Sequence, residues 1–290
     1  MDLPPAWSLS SARSAGLTRA QLRGPGFVRL THDLVVQLDD AIDESDRLAL
    51  LRQVLPPDAA YSHATAAALL GAPVDPPARA HVALTPRRVL PQRAEFVVHA
   101  RRLTDADVVQ HRGLRLTSGA QTFLDLAETL PPWELVAVGD ALLRAGHLDE
   151  GALIARLARA TRVRGVARAR DCAPLLSPLA MSRPESVIRY WLAASHLPTP
   201  TPQLPVMDRW GRPVVHADLG YEEWKIALEY EGRQHADYDQ FGRDVDRYSL
   251  MAADGWLVLR FAGRDLHGPS VVLDRTGRAL ISRGWRDPRG

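Results

Sequence analysis

Three acidic residues, Asp218, Glu229 and Glu231, have the types and spacing best suited to chemistry. They lie in the segment His216-Ala-Asp218-Leu-Gly-Tyr-Glu-Glu-Trp-Lys225-Ile-Ala-Leu-Glu229-Tyr-Glu231. A strand over 225–231 sets Ile226, Leu228 and Tyr230 on one face and Ala227, Glu229 and Glu231 on the other. Burying a carboxylate without a partner is costly, so acids alternating along an otherwise apolar strand call for a positive charge. A divalent cation is one answer. Mg²⁺ takes one or two carboxylates plus waters, and Asp218 on the preceding strand can supply the second. Such an ion orients or ionises a water and stabilises charge on a phosphate. An edge strand whose acids face solvent and pair with nearby arginines fits the same spacing, and spacing alone leaves both open.

The acids need a scaffold. The pattern from 184 onward predicts a helix over 184–195 and strands near 203–207, 213–220 and 225–231. A helix over about 239–253 and a buried strand, Trp256-Leu-Val-Leu-Arg-Phe261, follow. Ser182-Arg-Pro-Glu185 is a capping box with proline near the helix start. A carboxylate at that helix end can also face the sheet, so the capping and site roles of Glu185 are compatible. His235 either caps the turn after the strand or carries a proton. Asp244 and Arg247, three apart on a helix, either pair with each other or join the site.

Residues about 181–270 resemble the Vsr-like branch of the PD-(D/E)XK nuclease superfamily. The matching residues are Asp218, then Glu229-Tyr230-Glu231-Gly232, then His235, then Arg243-Asp244 with Arg247, and finally Gly255-Trp-Leu-Val-Leu-Arg260. The resemblance implies a central mixed sheet flanked by helices and a metal-dependent endonuclease. Asp218 and Glu229 would bind Mg²⁺ or Mn²⁺, with the Tyr230 carbonyl as a further ligand. Glu185 would complete the site, and His235 would activate water or protonate a leaving group. Glu231 stands where the superfamily has its catalytic lysine and would act behind the metal ligands or on a second metal. Lys225, the one lysine among 36 basic residues, lies six positions earlier. Arg243 and Arg247 would face the nucleic acid, and Arg233, Arg243 or Arg247 could replace the lysine electrostatically.

Residues 8–40 read as helix, helix, hairpin. A short helix covers Ser8 to Ala15, and Thr18-Arg-Ala-Gln21 forms a capping box that opens a second, ended by Gly24-Pro25-Gly26. Phe27-Val-Arg-Leu30 and Leu34-Val-Val-Gln-Leu38 form the hairpin. That order is a winged helix-turn-helix, with Arg19, Gln21 and Arg23 on the second helix. Further on, Ser62 caps a helix through Leu70, and short strands cover 81–84, 96–99 and 114–116. Pro132-Trp133 opens a helix to about Ala145, and another starts near Asp149. The arginines from Arg156 to Arg170 form either a solvated helix face or a phosphate-contacting patch.

Residues about 8–165 are similar to the AbiEi-like antitoxins. The similarity rests on Leu17-Thr-Arg-Ala-Gln-Leu-Arg23, Gly26-Phe-Val-Arg-Leu30, Ser62-His63-x-Thr65-Ala-Ala67 and Thr122-Phe-Leu-Asp125-Leu-Ala127. It implies DNA binding through Arg19, Arg23 and Arg29, and a toxin or defence-system protein as partner. A helical adaptor that only holds the nuclease domain is the alternative for this region.

Composition narrows the classes. The 290 residues are 46% hydrophobic and 24% charged, which are globular values, and the net charge of +2 is too small for a dedicated nucleic-acid binder. Cys172 is the single cysteine, so no internal disulfide or CxxC zinc site exists. Ser62 and His63 lack a GxSxG elbow, and no P-loop occurs. No apolar run is long enough for a membrane helix, and Met-Asp-Leu-Pro-Pro is not a secretory signal, which points to a cytoplasmic protein without membrane contact. The expectation is a mixed α/β chain in three parts: a winged helix-turn-helix over 1–45, an AbiEi-like α/β domain over 46–172 and a nuclease domain over 173–290. The expected function is DNA binding with Mg²⁺- or Mn²⁺-dependent endonuclease action in genome defence or repair. The alternative is an antitoxin-like transcriptional regulator whose nuclease fold is inactive.

Overall fold

A computed structural model describes residues 6–37, 43–208, 210–232 and 248–289, and it is mixed α/β. The chain divides into two compact units. One holds residues 1–70 and 74–125, and the other holds 71–73 and 126–290. The expected middle domain, 46–172, is therefore split between the two. No helix among the described residues is long and apolar enough to cross a membrane.

The first unit opens with a small antiparallel sheet. Strand β1 (Ala6–Ser8) pairs with β3 (Leu34–Gln37), which pairs with β2 (Phe27–Arg29). Helix α1 (Leu9–Ser14) follows β1, and its first turn is capped by Ser8, whose Oγ accepts the Ser11 N–H at 3.0 Å. The expected capping box forms: Thr18 N–H donates to Gln21 Oε1 at 2.8 Å and Gln21 N–H to Thr18 Oγ1 at 3.2 Å. It opens only a single 3₁₀ turn, Gln21–Arg23, and not a second α-helix. Pro25 has no N–H to continue a helix, and Gly24 is already extended at φ −75°, ψ 168°. Ala12, Leu22 and Val35 form the core of this piece, with Trp7, Leu9, Leu17 and Phe27 around it.

Helix α2 (Glu44–Leu51), capped by Asp43, leads into a five-stranded sheet. Its strands are β4 (Ala60–Tyr61), β5 (Ala80–Leu84), β6 (Phe96–Ala100), β7 (Val108–His111) and β8 (Leu114–Thr117), in the order β6-β5-β4-β8-β7. The pairs β5–β6 and β4–β8 are parallel. Helix α3 (His63–Leu69) leaves directly from β4, and α4 (Gly119–Leu126) from β8. The Tyr61 hydroxyl donates to the Leu48 carbonyl at 2.6 Å, so the buried ring also ties α2 to the sheet.

The second unit begins with α5 (Pro132–Arg144), α6 (Glu150–Arg159) and α7 (Val166–Cys172). Gly165, at φ +76°, precedes α7, and a Cβ there would come within 2.4 Å of the Ala127 carbonyl carbon, so the position admits only glycine. Helix α5 packs on α8 (Arg183–Ala193), where Arg189 Nη2 meets Asp140 Oδ2 at 2.6 Å in a buried ion pair. Strands β9 (Thr201–Met207), β10 (Pro213–Tyr221), β11 (Ile226–Glu231) and β12 (Leu257–Ala262) follow. The sheet order is β12-β11-β10-β9, antiparallel except for the parallel pair β11–β12.

Alternation along β11 divides the core between the two faces of this sheet. Ile226 and Leu228 pack with Leu219, with Val187, Ile188, Trp191 and Leu192 of α8, and with Val272 and Leu280 of α10 (Ser270–Ser282). Ala227 packs on the opposite face with Leu204, Val206, Met251 and Trp256. Met251 belongs to helical residues 248–253, labelled α9, the described part of the helix expected over 239–253. The crossover needed to make β12 parallel to β11 passes through this part of the chain. Gly220 is required by a close approach, because a Cβ there would lie 2.6 Å from Leu204 Cδ2 and 2.9 Å from the Ile226 carbonyl oxygen.

Candidate functional site

The β10–β11 register pairs Leu219 with Leu228. The next residues along, Asp218 and Glu229, therefore stand on neighbouring central strands. Asp218 Oδ2 accepts the Tyr230 backbone N–H at 2.8 Å, and Glu229 is 4% exposed. Glu185 comes from the first turn of α8. Its Oε1 accepts the Ser182 hydroxyl at 2.8 Å, and its Oε2 accepts the Met181 N–H at 2.9 Å and Gln203 Nε2 at 3.2 Å. Burial raises the Glu185 carboxyl above its ordinary pKa, and the nearby Asp218 charge raises it further. Glu185 thus serves the helix cap and also lies within electrostatic reach of Asp218. Gln203, which reaches it from β9, has left-handed backbone at φ +49°.

Glu231 has other partners. The β11–β12 pairing sets Arg260 against Glu229, and Arg260 forms an ion pair with Glu231. The Tyr248 hydroxyl donates to Glu231 Oε1 at 3.3 Å, and the Arg260 guanidinium lies 4.7 Å from the centre of the Tyr248 ring. Lys225 sits in the turn before β11, where its Nζ donates to the Asp254 carbonyl at 3.1 Å. Three residues of strand separate Lys225 from Glu229, and the four rises between them span roughly 13 Å. His235, Arg243 and Arg247 lie outside the described residues.

The expected nucleic-acid contacts Arg19, Arg23 and Arg29 come together in the first unit. They line an open hollow of about 600 Å³ together with Arg13 and His32, over apolar Leu9, Leu22, Phe27 and Val35. The arginines come from α1, the 3₁₀ turn and its approach, and β2. None of the four has an acidic partner among the described residues, and Arg29 Nη2 donates to the His32 carbonyl at 2.5 Å.

A third cluster was missed by sequence reasoning. Among the described residues, one set of three His, Cys, Asp or Glu side chains brings its ligand atoms within 4.8 Å of one another: His63, His81 and His99. The Asp218, Glu229 and Glu185 carboxylates do not draw together that closely. His99 Nε2 lies 3.1 Å from His81 Nδ1, and the His63 and His99 rings stack with centroids 3.6 Å apart. Asp125 Oδ2 lies 3.7 Å from His63 Nδ1, and Arg101 Nε donates to Asp125 Oδ1 at 3.0 Å. Burial is the main cause that lowers all three imidazoles, His63 to about 3, with Arg101 and His81 adding, and His99 to about 4, with His63, His81 and Arg101 adding. The rings are therefore neutral near pH 7, the form that binds metal.

Ser62 occupies the N-cap position of α3 as expected, but its hydroxyl makes no capping bond. It lies instead 3.0 Å from His63 Nδ1, the same nitrogen that Asp125 approaches. A serine–histidine–aspartate relay needs serine and aspartate on opposite nitrogens, so this arrangement is not one. Histidines at 63, 81 and 99, two of them inside segments read as strands, were the signal available in the sequence.

No family model matches the chain, and no curated protein matches it. Among solved structures it is similar to the RV2827C protein from Mycobacterium tuberculosis, with 18% identity and a TM-score of 0.43 over 71% of this chain and 80% of that one.

Proposed function

We propose that the chain acts on DNA, with a phosphate-binding N-terminal unit and a C-terminal unit that hydrolyses phosphodiester bonds with Mg²⁺ or Mn²⁺. The observation that carries this reading is the placement of Asp218 and buried Glu229 on neighbouring central strands of a β12-β11-β10-β9 sheet. Helix, three strands, helix and a fourth strand is the order read from the sequence pattern, and a mixed sheet flanked by helices is what the nuclease resemblance implies.

Asp218 and Glu229 offer the carboxylate oxygens that Mg²⁺ and Mn²⁺ take. Glu229 is almost fully buried, and the charge of Asp218 already raises the Glu185 carboxyl. A positive ion would offset the repulsion between the Asp218 and Glu185 charges. Asp218 and Glu229 would hold it, with the Tyr230 carbonyl as a further ligand. The ion would supply Lewis-acid polarisation of a phosphoryl oxygen and a more acidic water. Tyr230 N–H fixes the Asp218 carboxylate, and Ser182, Met181 and Gln203 fix that of Glu185. Arg13, Arg19, Arg23 and Arg29 would take backbone phosphates, which position a protein on DNA without reading sequence.

Incubation of the full chain with supercoiled plasmid and with single-stranded DNA, in Mg²⁺, Mn²⁺ or EDTA, tests the reading. Metal-dependent nicking that disappears in Asp218→Ala and Glu229→Gln supports it. Folded protein that cleaves neither substrate overturns it.

One observation favours a second reading, an antitoxin-like transcriptional regulator with an inactive nuclease fold. Glu231 occupies the position where the resemblance implies a lysine, and Arg260 and Tyr248 hold it. Specific binding of DNA upstream of its own gene, without cleavage, would select this reading.

A further inference from the structure

The three histidines form a built site, independent of the acidic one. The start of α3 is stitched to β5 on both sides of His81. Ser62 N–H donates to the His81 carbonyl at 2.9 Å, and His81 N–H donates to Thr65 Oγ1 at 2.8 Å. In the parallel β5–β6 register Ala83 stands opposite His99, so His81 and His99 are diagonal neighbours on one face of the sheet. His63 joins them through left-handed backbone at φ +50°, a conformation that side chains other than glycine rarely adopt and that gathers at functional sites.

The spacing of His81 and His99 suits a metal, and the His63 ring, stacked on His99 with centroids 3.6 Å apart, would turn out of that stack to point a nitrogen at the same ion. Bonds of about 2.0–2.1 Å to a tetrahedral zinc set neighbouring nitrogens roughly 3.3 Å apart. The 3.1 Å between His99 Nε2 and His81 Nδ1 is close to that edge. Asp125 beside His63 Nδ1, itself held by Arg101, has the place of the outer carboxylate that orients a metal-bound imidazole. Three imidazoles select zinc and its neighbours, whereas Mg²⁺ takes oxygen ligands.

We propose that His63, His81 and His99 bind one divalent transition ion of the zinc class, with a remaining position for water or a ligand oxygen. His81 and His99 are only half-buried, so solvent reaches that side. Arg101 Nη2 lies 3.4 Å from His63 Nε2, and an ion coordinated at that nitrogen would displace this long contact while Arg101 Nε stays on Asp125.

The test uses the full chain, free of any histidine tag and stripped with chelator, titrated with Co²⁺ and then Zn²⁺. The expected result is visible absorption of four- or five-coordinate Co²⁺ that saturates at one equivalent and is displaced by Zn²⁺. His81→Asn and His99→Gln should each weaken binding more than about tenfold, the lower end of the loss seen when only the supporting shell of a metal is changed. Asp218→Asn should keep the parent's visible Co²⁺ absorption, because an ion held by oxygen ligands in octahedral geometry absorbs only weakly, which separates this site from the acidic one. Zn²⁺ should raise the melting temperature of the parent and of Asp218→Asn, but not of folded His81→Asn or His99→Gln. Folded parent protein that binds no Co²⁺ or Zn²⁺, or folded histidine variants that bind as the parent does, would overturn the assignment.

Discussion

The Asp218 carboxylate accepts the backbone N–H of Tyr230 at 2.8 Å, linking the two central strands at the point where Glu229 stands. An asparagine can accept the same N–H but carries no charge. Asp218→Asn is therefore expected to change stability by less than about 1 kcal/mol, whereas Asp218→Ala loses the bond and costs about 1–2 kcal/mol. Both variants should lose metal-dependent cleavage by more than about a hundredfold, if each removes a charged ligand of the metal. Urea unfolding beside plasmid nicking separates the two effects.

The arginine hollow makes a claim about salt. Each phosphate contact contributes about −0.9 to the slope of log K against log salt on duplex DNA. Replacing Arg13, Arg19, Arg23 and Arg29 together by glutamine should flatten that slope by up to about 3.6. Fluorescence anisotropy on one duplex at several salt concentrations measures it. A slope unchanged from the parent protein would place DNA, if it binds, elsewhere.

The buried Asp140–Arg189 pair holds α5 to α8, and Asp140 Oδ1 also accepts the Ser177 N–H at 2.7 Å. Burial pushes the Asp140 carboxyl up and the arginine opposes it. Arg189→Met strands a buried acid and should cost about 3–5 kcal/mol. The pair Asp140→Leu with Arg189→Met should recover most of that loss, because replacing both charges by apolar groups is often near neutral. Chemical denaturation of the three variants decides it.

Cys172 is buried, and desolvation, with the Asp171 charge adding, pushes its thiol up to about 11. Only the thiolate reacts, and at pH 8 it is about 0.1% of the total for such a group. The folded chain should therefore resist iodoacetamide at pH 8. Its labelling rate should climb about tenfold per pH unit until the fold opens, because raising the pH creates the thiolate. The urea-unfolded chain should label quickly at pH 8.

The sheet of the second unit was legible because its strands alternate or run apolar between clear turns. The strand expected over 225–231 is Ile226–Glu231, and that expected over 256–261 is Leu257–Ala262. Other elements depended on what their neighbours supplied. The box Thr18–Gln21 was read with the right bonds, but glycine and proline immediately after it limit the turn to Gln21–Arg23. Helix Ser270–Ser282 was not anticipated: its buried stripe, Val272, Thr276, Ala279 and Leu280, includes a threonine and an alanine and so lacks strong contrast. Of the candidate residues, Asp218, Glu229 and Glu185 were visible through spacing, capping pattern and resemblance. The histidine cluster was not, because its members come from three elements and only the β5–β6 register and the left-handed His63 bring them together.

The contact between Gly165 and Ala127 has an evolutionary consequence. Any side chain at 165 would meet backbone that cannot move aside as a rotamer can. In diverging relatives that keep α7 against this stretch, the column at 165 should stay glycine while neighbouring surface arginines drift. A homologue with another residue there must have moved the start of that helix, so this one column is a sequence-level marker of shared backbone geometry among relatives too distant for overall identity to reveal.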